Sequence, residues 1–235
     1  VRVKKILSIG NSFSQDAQRY LHKVAENENE KIQCVNLYIG GCSLGHHFVN
    51  MIEDTADYAY ELNGEDTGKA VSIKQALTSD DWDFVTLQQV SQNAPFFDTY
   101  VPFLEKLAEY VRQYSPKSQI LMHQTWAYEK GSERLREAGF IDPHDMLERI
   151  KYSYEKAARL ICADGIIPDG EMMMNALDAG VGRMHRDTFH ADLGIGRYLL
   201  ALTWFHTITG RKAASEYDDF DVEVSAEEVK IVKGL

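Results

Sequence analysis

The chain opens on an apolar run, Val3 to Ile9, entered through Lys4 and Lys5, and then changes period. Apolar residues next recur at helical spacing, which predicts a buried strand followed by a helix over Ser14 to Asn27. Ala17, Leu21, Val24 and Ala25 would form the inner stripe of that helix. Ile32 to Ile39 reads as a second strand, ending in Gly40-Gly41-Cys42-Ser43-Leu44-Gly45, a loop too glycine-rich for helix or strand. From 46 to 75 the period is lost, and the pattern predicts an irregular excursion with one short helix near Ser72 to Leu77. Order returns at Trp82. Asp83 to Gln89 is the third strand, Val101 to Tyr114 a helix stopped by Ser115-Pro116, and Gln119 to Gln124 the fourth strand. Asp142-Pro143 caps and starts a long helix with Met146, Ile150, Ala157 and Ile161 on one face, ended by Gly165. Ile166-Ile167 makes a short fifth strand. Ala191 to Thr209 is apolar nearly all round and reads as a buried helix, and Ser225 to Lys233 as a closing one.

Strands alternating with helices, without repeats, predict an α/β fold: three αβα layers, with a mostly parallel sheet of about five strands and helices on both faces. No linker divides the chain, so residues 1–235 read as one domain. The charge balance, 25 basic against 36 acidic residues for a net −11, offers no basic run and speaks against a nucleic-acid or anionic-membrane partner. Cys34, Cys42 and Cys162 form no CxxC motif, which disfavours a disulfide framework or structural zinc. There is no signal-peptide pattern and no apolar run of about 18 residues, so no membrane span is expected. The cytoplasm is the expected compartment, with removal of an upstream segment left open because the chain does not begin with methionine.

Two segments carry candidate chemistry. Ile9-Gly10-Asn11-Ser12-Phe13-Ser14 puts serines where a strand end meets a helix start, the place where open α/β sheets gather their chemistry. Ser12 or Ser14 there either caps the helix or supplies a nucleophile beside free backbone N–H groups. Asp187-Thr188-Phe189-His190, just ahead of the buried helix, spaces a carboxylate so that it can orient an imidazole whose other nitrogen faces a hydroxyl.

Together these blocks resemble the SGNH (GDSL-type) hydrolase superfamily over nearly the whole chain, and in particular an uncharacterised bacterial branch of it. The resemblance implies a flavodoxin-like three-layer fold and a serine esterase acting without a cofactor. It assigns Ser12, in Gly10-Asn11-Ser12, as nucleophile, and Asp187 and His190 as the rest of a triad. An oxyanion hole would form from the N–H groups of Ser12 and Gly41 and from a side-chain amide after the third strand. That third block departs from the family's G-x-N-D: Leu87-Gln88-Gln89-Val90-Ser91-Gln92-Asn93 puts Gln92 at the asparagine position, with Gln89 as the alternative. Asn11 also replaces the usual aspartate.

A short-chain, acetyl-type ester is the implied substrate, with a carbohydrate O-acetyl group as one form of it. His123, Gln124, Trp126 and Tyr128 lie near predicted strand ends; Trp126 and Gln124 are the candidate sugar contacts, and the same aromatics could simply pack loops over the sheet. His46, His47 and His185 lack zinc-site spacing, so no metal is expected. Cys42 reads as a small packing residue. The competing expectation is a non-catalytic carbohydrate-binding protein on a hydrolase fold.

Overall fold

The computed structural model describes residues 2–235. Its centre is a seven-stranded sheet in the order β4-β3-β2-β1-β5-β6-β7. The strands are β1 (Lys4–Gly10), β2 (Ile32–Tyr38), β3 (Tyr58–Leu62), β4 (Glu65–Val71), β5 (Phe84–Leu87), β6 (Gln119–His123) and β7 (Gly165–Ile167). Five are parallel, the five read from the sequence: β2, β1, β5, β6 and β7. The two unforeseen strands form an antiparallel hairpin added outside β2. The parallel part therefore steps to one side from β1 to β2 and to the other from β1 to β5. Such a reversal leaves a crevice beyond the carboxyl ends of the strands, where α/β sheets bind ligands.

Among the described residues ten α-helices flank the sheet: α1 (Ser12–Gln18), α2 (Leu21–Asn27), α3 (Leu44–Glu53), α4 (Ile73–Leu77), α5 (Phe103–Tyr114), α6 (Glu133–Glu137), α7 (Pro143–Leu160), α8 (Asp169–Asp178), α9 (Ile195–Thr209) and α10 (Ala226–Gly234). Alternate residues of each strand feed opposite cores. Leu7, Ile9, Val35 and Leu37 pack with α3, α4, α5 and α7. Ile6 and Cys34 pack with α1, α2, α8, α9 and α10. The sandwich explains why α9 is apolar nearly all round: Leu199, Leu200, Trp204 and Phe205 are all buried.

The structure departs from the sequence pattern in several places, among them α6, a short helix in a stretch where no element was expected. The predicted first helix is two, α1 and α2, separated at Arg19 and Tyr20. Segment 46–75 is ordered, containing most of α3 and all of the hairpin. The signal for the hairpin was Asn63-Gly64: both have positive φ, +51° and +79°, as a tight two-residue hairpin turn demands. Gly64 has a further reason to lack a side chain, since a Cβ there would lie 2.8 Å from the Cα of Arg19. A further departure is α8, whose acidic opening, Asp169-Gly170-Glu171, reads locally as loop.

His47 joins α3 to the hairpin. Its Nδ1 lies 2.8 Å from the Tyr58 hydroxyl and 3.4 Å from Cys42 Sγ, all three side chains being buried. Burial pushes the imidazole down from 6.5 to about 3. An unfolded chain takes up a proton near pH 6.5 that the folded chain refuses until about pH 3. Stability therefore rises with pH through that window and is complete above it. His47→Gln should reduce the difference in urea-unfolding free energy between pH 7.5 and pH 5 by about 2 kcal/mol relative to the parent.

Candidate active site

β1 ends at Gly10 and α1 begins at Ser12. Between them Asn11 is the N-cap: its Oδ1 accepts the Phe13 N–H at 3.0 Å, while Ser14 Oγ accepts the Asn11 N–H at 3.1 Å. This reciprocal box satisfies the first turn without Ser12. Gly10 permits it, because a Cβ at that position would sit 1.9 Å from Ser14 Oγ. The capping role that the sequence left between Ser12 and Ser14 thus belongs to Asn11 and Ser14, and the Ser12 hydroxyl is free. It lies 2.9 Å from His190 Nε2, and His190 Nδ1 lies 2.7 Å from Asp187 Oδ2. The other Asp187 oxygen accepts the His190 backbone N–H at 2.8 Å. Partial burial raises the Asp187 pKa, but hydrogen bonds from the His190 ring and backbone outweigh it, holding the carboxylate below its ordinary range.

Asparagine at position 11 has a local cause. Its Nδ2 donates to the Cys42 carbonyl at 3.1 Å, and its Oδ1 also accepts from Gln88 Nε2 at 2.7 Å. An aspartate would set a carboxylate against that carbonyl. The Gln88 amide continues inward: its Oε1 lies 2.8 Å from His123 Nδ1, whose Nε2 is 2.8 Å from Asp169 Oδ2. Trp204 Nε1 donates to the same carboxylate oxygen at 2.7 Å. Burial pushes the Asp169 carboxyl up, against the pull of His123 and Trp204. The sequence pattern did not disclose this chain, because Gln88 and His123 end buried strands and look like ordinary strand-end polar residues.

The loop bearing Asp187 and His190 is closed on itself and tied down. His185 pairs with Ala191, and the Arg186 N–H donates to the His190 carbonyl at 3.0 Å. Trp126 Nε1 holds the Phe189 carbonyl at 2.7 Å, and the Glu129 N–H holds the Thr188 carbonyl at 2.8 Å. Thr188 itself has φ +75°, a costly conformation for a β-branched residue that these bonds sustain. The strongest tie is Arg186, whose Nη1 lies 2.9 Å from both oxygens of Asp16. Arg197 Nε from α9 reaches the same carboxylate at 2.9 Å. Asp16 is wholly buried in α1, one helical turn from Ser12. Its signal in the sequence was an acid among the inward-facing residues of a helix, flanked by Phe13, Ala17 and Tyr20.

Of the remaining predicted residues, Gly41 and Gln92 border the same cavity of about 290 Å³ as Ser12 and His190. Gly41 has φ +64°, and no acceptor among the described residues engages its N–H or that of Ser12. Gln92 is exposed and its amide is uncommitted among the described residues. Gln89 is excluded as a donor to this cavity. It is buried, its Nε2 is spent on Thr99 and its Oε1 on the N–H groups of Leu44 and Val90. Trp126 and Gln124 are likewise corrected. Trp126 is buried, stacked on Phe13 at 4.1 Å, and Gln124 is buried against Glu171, so neither borders the cavity. The aromatic area read as a sugar contact instead braces the loop. Cys42 is a buried thiol pushed up to about 12 by burial, and His185 turns its Nε2 to the Ala127 carbonyl.

A family model described as a domain of unknown function, DUF4886, matches residues 5–234. The chain belongs to the DUF4886 family. A crystal structure of another DUF4886 protein, from Bacteroides uniformis, is 34% identical and superposes with a TM-score of 0.91, covering 99% of this chain and 93% of that one. A candidate SGNH hydrolase from Slackia heliotrinireducens is 23% identical with a TM-score of 0.64, over 88% of this chain and 100% of the other. A candidate GDSL-like lipase from Parabacteroides merdae is 15% identical with a TM-score of 0.59, over 88% and 95%. No curated protein matches the chain. This DUF4886 chain therefore has the SGNH-hydrolase fold, with a hairpin-extended sheet of seven strands in place of the five expected. No helix among the described residues is long and apolar enough to cross a membrane.

Removing the charge of Asp16 leaves Arg186 without its counter-ion in a buried setting. Asp16→Asn should lower unfolding free energy by about 3–5 kcal/mol in urea titrations. It should also speed amide hydrogen exchange across residues 185–191 selectively, ahead of the sheet strands.

Proposed function

We propose that the chain is a serine esterase that hydrolyses short-chain esters, acetyl esters foremost, at Ser12. The observation carrying this is the unbroken path from Ser12 Oγ to His190 Nε2 at 2.9 Å and from His190 Nδ1 to Asp187 at 2.7 Å, in the crevice beyond the parallel strands. A nucleophile, a base and an orienting carboxylate in mutual hydrogen-bond reach form the acyl-transfer constellation.

In this mechanism Ser12 Oγ bonds to the ester carbonyl carbon as its proton passes to His190 Nε2. Asp187 holds the ring tautomer and supports the imidazolium. The oxyanion of the tetrahedral species takes hydrogen bonds from the Ser12 and Gly41 N–H groups and from the Gln92 amide. Collapse breaks the bond to the leaving oxygen, which takes the proton from His190 and departs as an alcohol. Water then attacks the acyl-Ser12 carbonyl, giving its proton to His190, and the acid leaves as Ser12 is restored.

The modest cavity favours a short acyl group. What supports this over a non-catalytic sugar-binding protein is a serine released from capping and aimed at a histidine, together with the burial of Trp126 and Gln124.

Ser12→Ala should cut hydrolysis of p-nitrophenyl acetate by about 10⁴–10⁶ with circular dichroism unchanged, and activity retained in that variant would sink the proposal. A fluorophosphonate should label the parent stoichiometrically at Ser12 and leave the variant unmodified. Gln92→Ala should lower kcat by about 10²–10³ with little change in KM; an unaltered kcat would remove Gln92 from the oxyanion hole.

A further inference from the structure

The cavity holding Ser12 and His190 is also bordered by a cation, Arg134. It stands in α6, which Ser132 caps and which the wholly buried Leu135 anchors in the core. The Arg134 guanidinium lies 3.8 Å over the Phe189 ring and 5.7 Å from the Tyr128 ring. It has no carboxylate partner among the described residues. Among the described residues Arg134 and Arg149 are the two arginines whose guanidinium engages no carboxylate or carbonyl oxygen; that of Arg134 reaches the Tyr128 hydroxyl, and Arg149 is not among the residues bordering this cavity. The other arginines engage carboxylates or carbonyl oxygens, as Arg186 and Arg197 do on Asp16 and Arg19 on Asp221. In a chain with 36 acidic residues against 25 basic ones, this guanidinium stands at the cavity that holds the nucleophile with no carboxylate among the described residues to neutralise it, and a guanidinium has donors to spare beyond the Tyr128 hydroxyl. Stacking on Phe189 helps fix its position without using the remaining donors.

The placement also selects a side of the substrate. His190 must reach the leaving oxygen to protonate it, so the alcohol half of an ester lies on the His190 side. The Phe189 ring is 3.9 Å from the His190 ring and carries Arg134 on it. Gly41 and Gln92 border the cavity as candidate donors to the carbonyl oxygen.

We propose that Arg134 is a specificity residue that binds a carboxylate or sulfate group on the alcohol half of the substrate, making this an esterase for acidic alcohols. A guanidinium fork matches such oxyanions with paired hydrogen bonds. Binding an anion beside Arg134 also offsets its positive charge next to the imidazole that must become cationic during turnover. The words alcohol half rest on the esterase reading above; the anion site does not.

The test compares para-acetoxybenzoate and para-acetoxybenzenesulfonate with the neutral, similarly shaped para-acetoxybenzamide at low ionic strength. The parent should favour the anions by about tenfold in kcat/KM, an advantage that shrinks with added salt. Arg134→Gln should bring the ratio close to one, and Arg134→Lys should keep part of it with a steeper salt dependence. Absence of anion preference in the parent, or its persistence in Arg134→Gln, overturns the proposal. Calorimetric binding of the same three intact esters to Ser12→Ala, with and without Arg134→Gln, gives a readout that needs no turnover. Arg134-dependent anion preference there, with no hydrolysis by the parent, would defeat the esterase reading and sustain the anion site. Hydrolysis with equal binding of all three would do the reverse.

Discussion

Everything at the crevice depends on one buried carboxylate. Asp16 belongs to the helix that starts at Ser12, and its partner Arg186 lies 170 residues further on, immediately before Asp187. A short helix and a loop with little regular structure would each drift by ångströms if held only by apolar packing. Reaction geometry tolerates far less than that. The ion pair, shared with Arg197 of α9, converts two remote pieces of chain into one rigid unit. Burying charges is costly, and the compensation visible here is geometric: the carboxylate accepts two hydrogen bonds from one guanidinium nitrogen and a third from another arginine.

A second network fixes the other coordinate of the nucleophile. Asn11 meets Cys42 after β2 and Gln88 after β5, so the turn carrying Ser12 is fastened to both neighbouring strands of the sheet. Behind Gln88, whose Oε1 meets His123 Nδ1, Asp169 sits with its Oδ2 2.8 Å from His123 Nε2 and takes the Trp204 N–H, while its Oδ1 is left without a partner among the described residues. The hydrogen bonds from Asn11 through Gln88 to His123 favour a single arrangement, because breaking one strands a buried polar group.

Much of this was legible in the sequence, and for identifiable reasons. A strand end meeting a helix start is written in a change of hydrophobic period and D-x-x-H in local spacing, and the resemblance to the SGNH hydrolases then singled out Ser12, Asp187 and His190 among those positions. Gln89 and Gln92 could not be separated that way. Three residues apart in an irregular segment, they differ only in which neighbours they find: Thr99, Leu44 and Val90 absorb the first, and none of these takes the second. Trp126 misled for the same reason, since a tryptophan after a strand can face solvent or turn inward to hold Phe189. The hairpin after α3 hid because β4 is Glu-Asp-Thr-Gly-Lys-Ala-Val, exposed along nearly its whole length and without an apolar face to give a period of two.

That same exposed strand bears on how the molecule behaves in company. An open sheet offers unpaired backbone at both margins, a template on which other chains can add strands and aggregate. Here one margin is β4, decorated with Glu65, Asp66 and Lys69 and bent by an irregularity in its pairing with β3. The opposite margin, β7, is three residues long. Neither border gives an incoming strand a long, flat, apolar template. The crevice between them can stay open to small molecules in a crowded solution without the sheet's own edges recruiting neighbours.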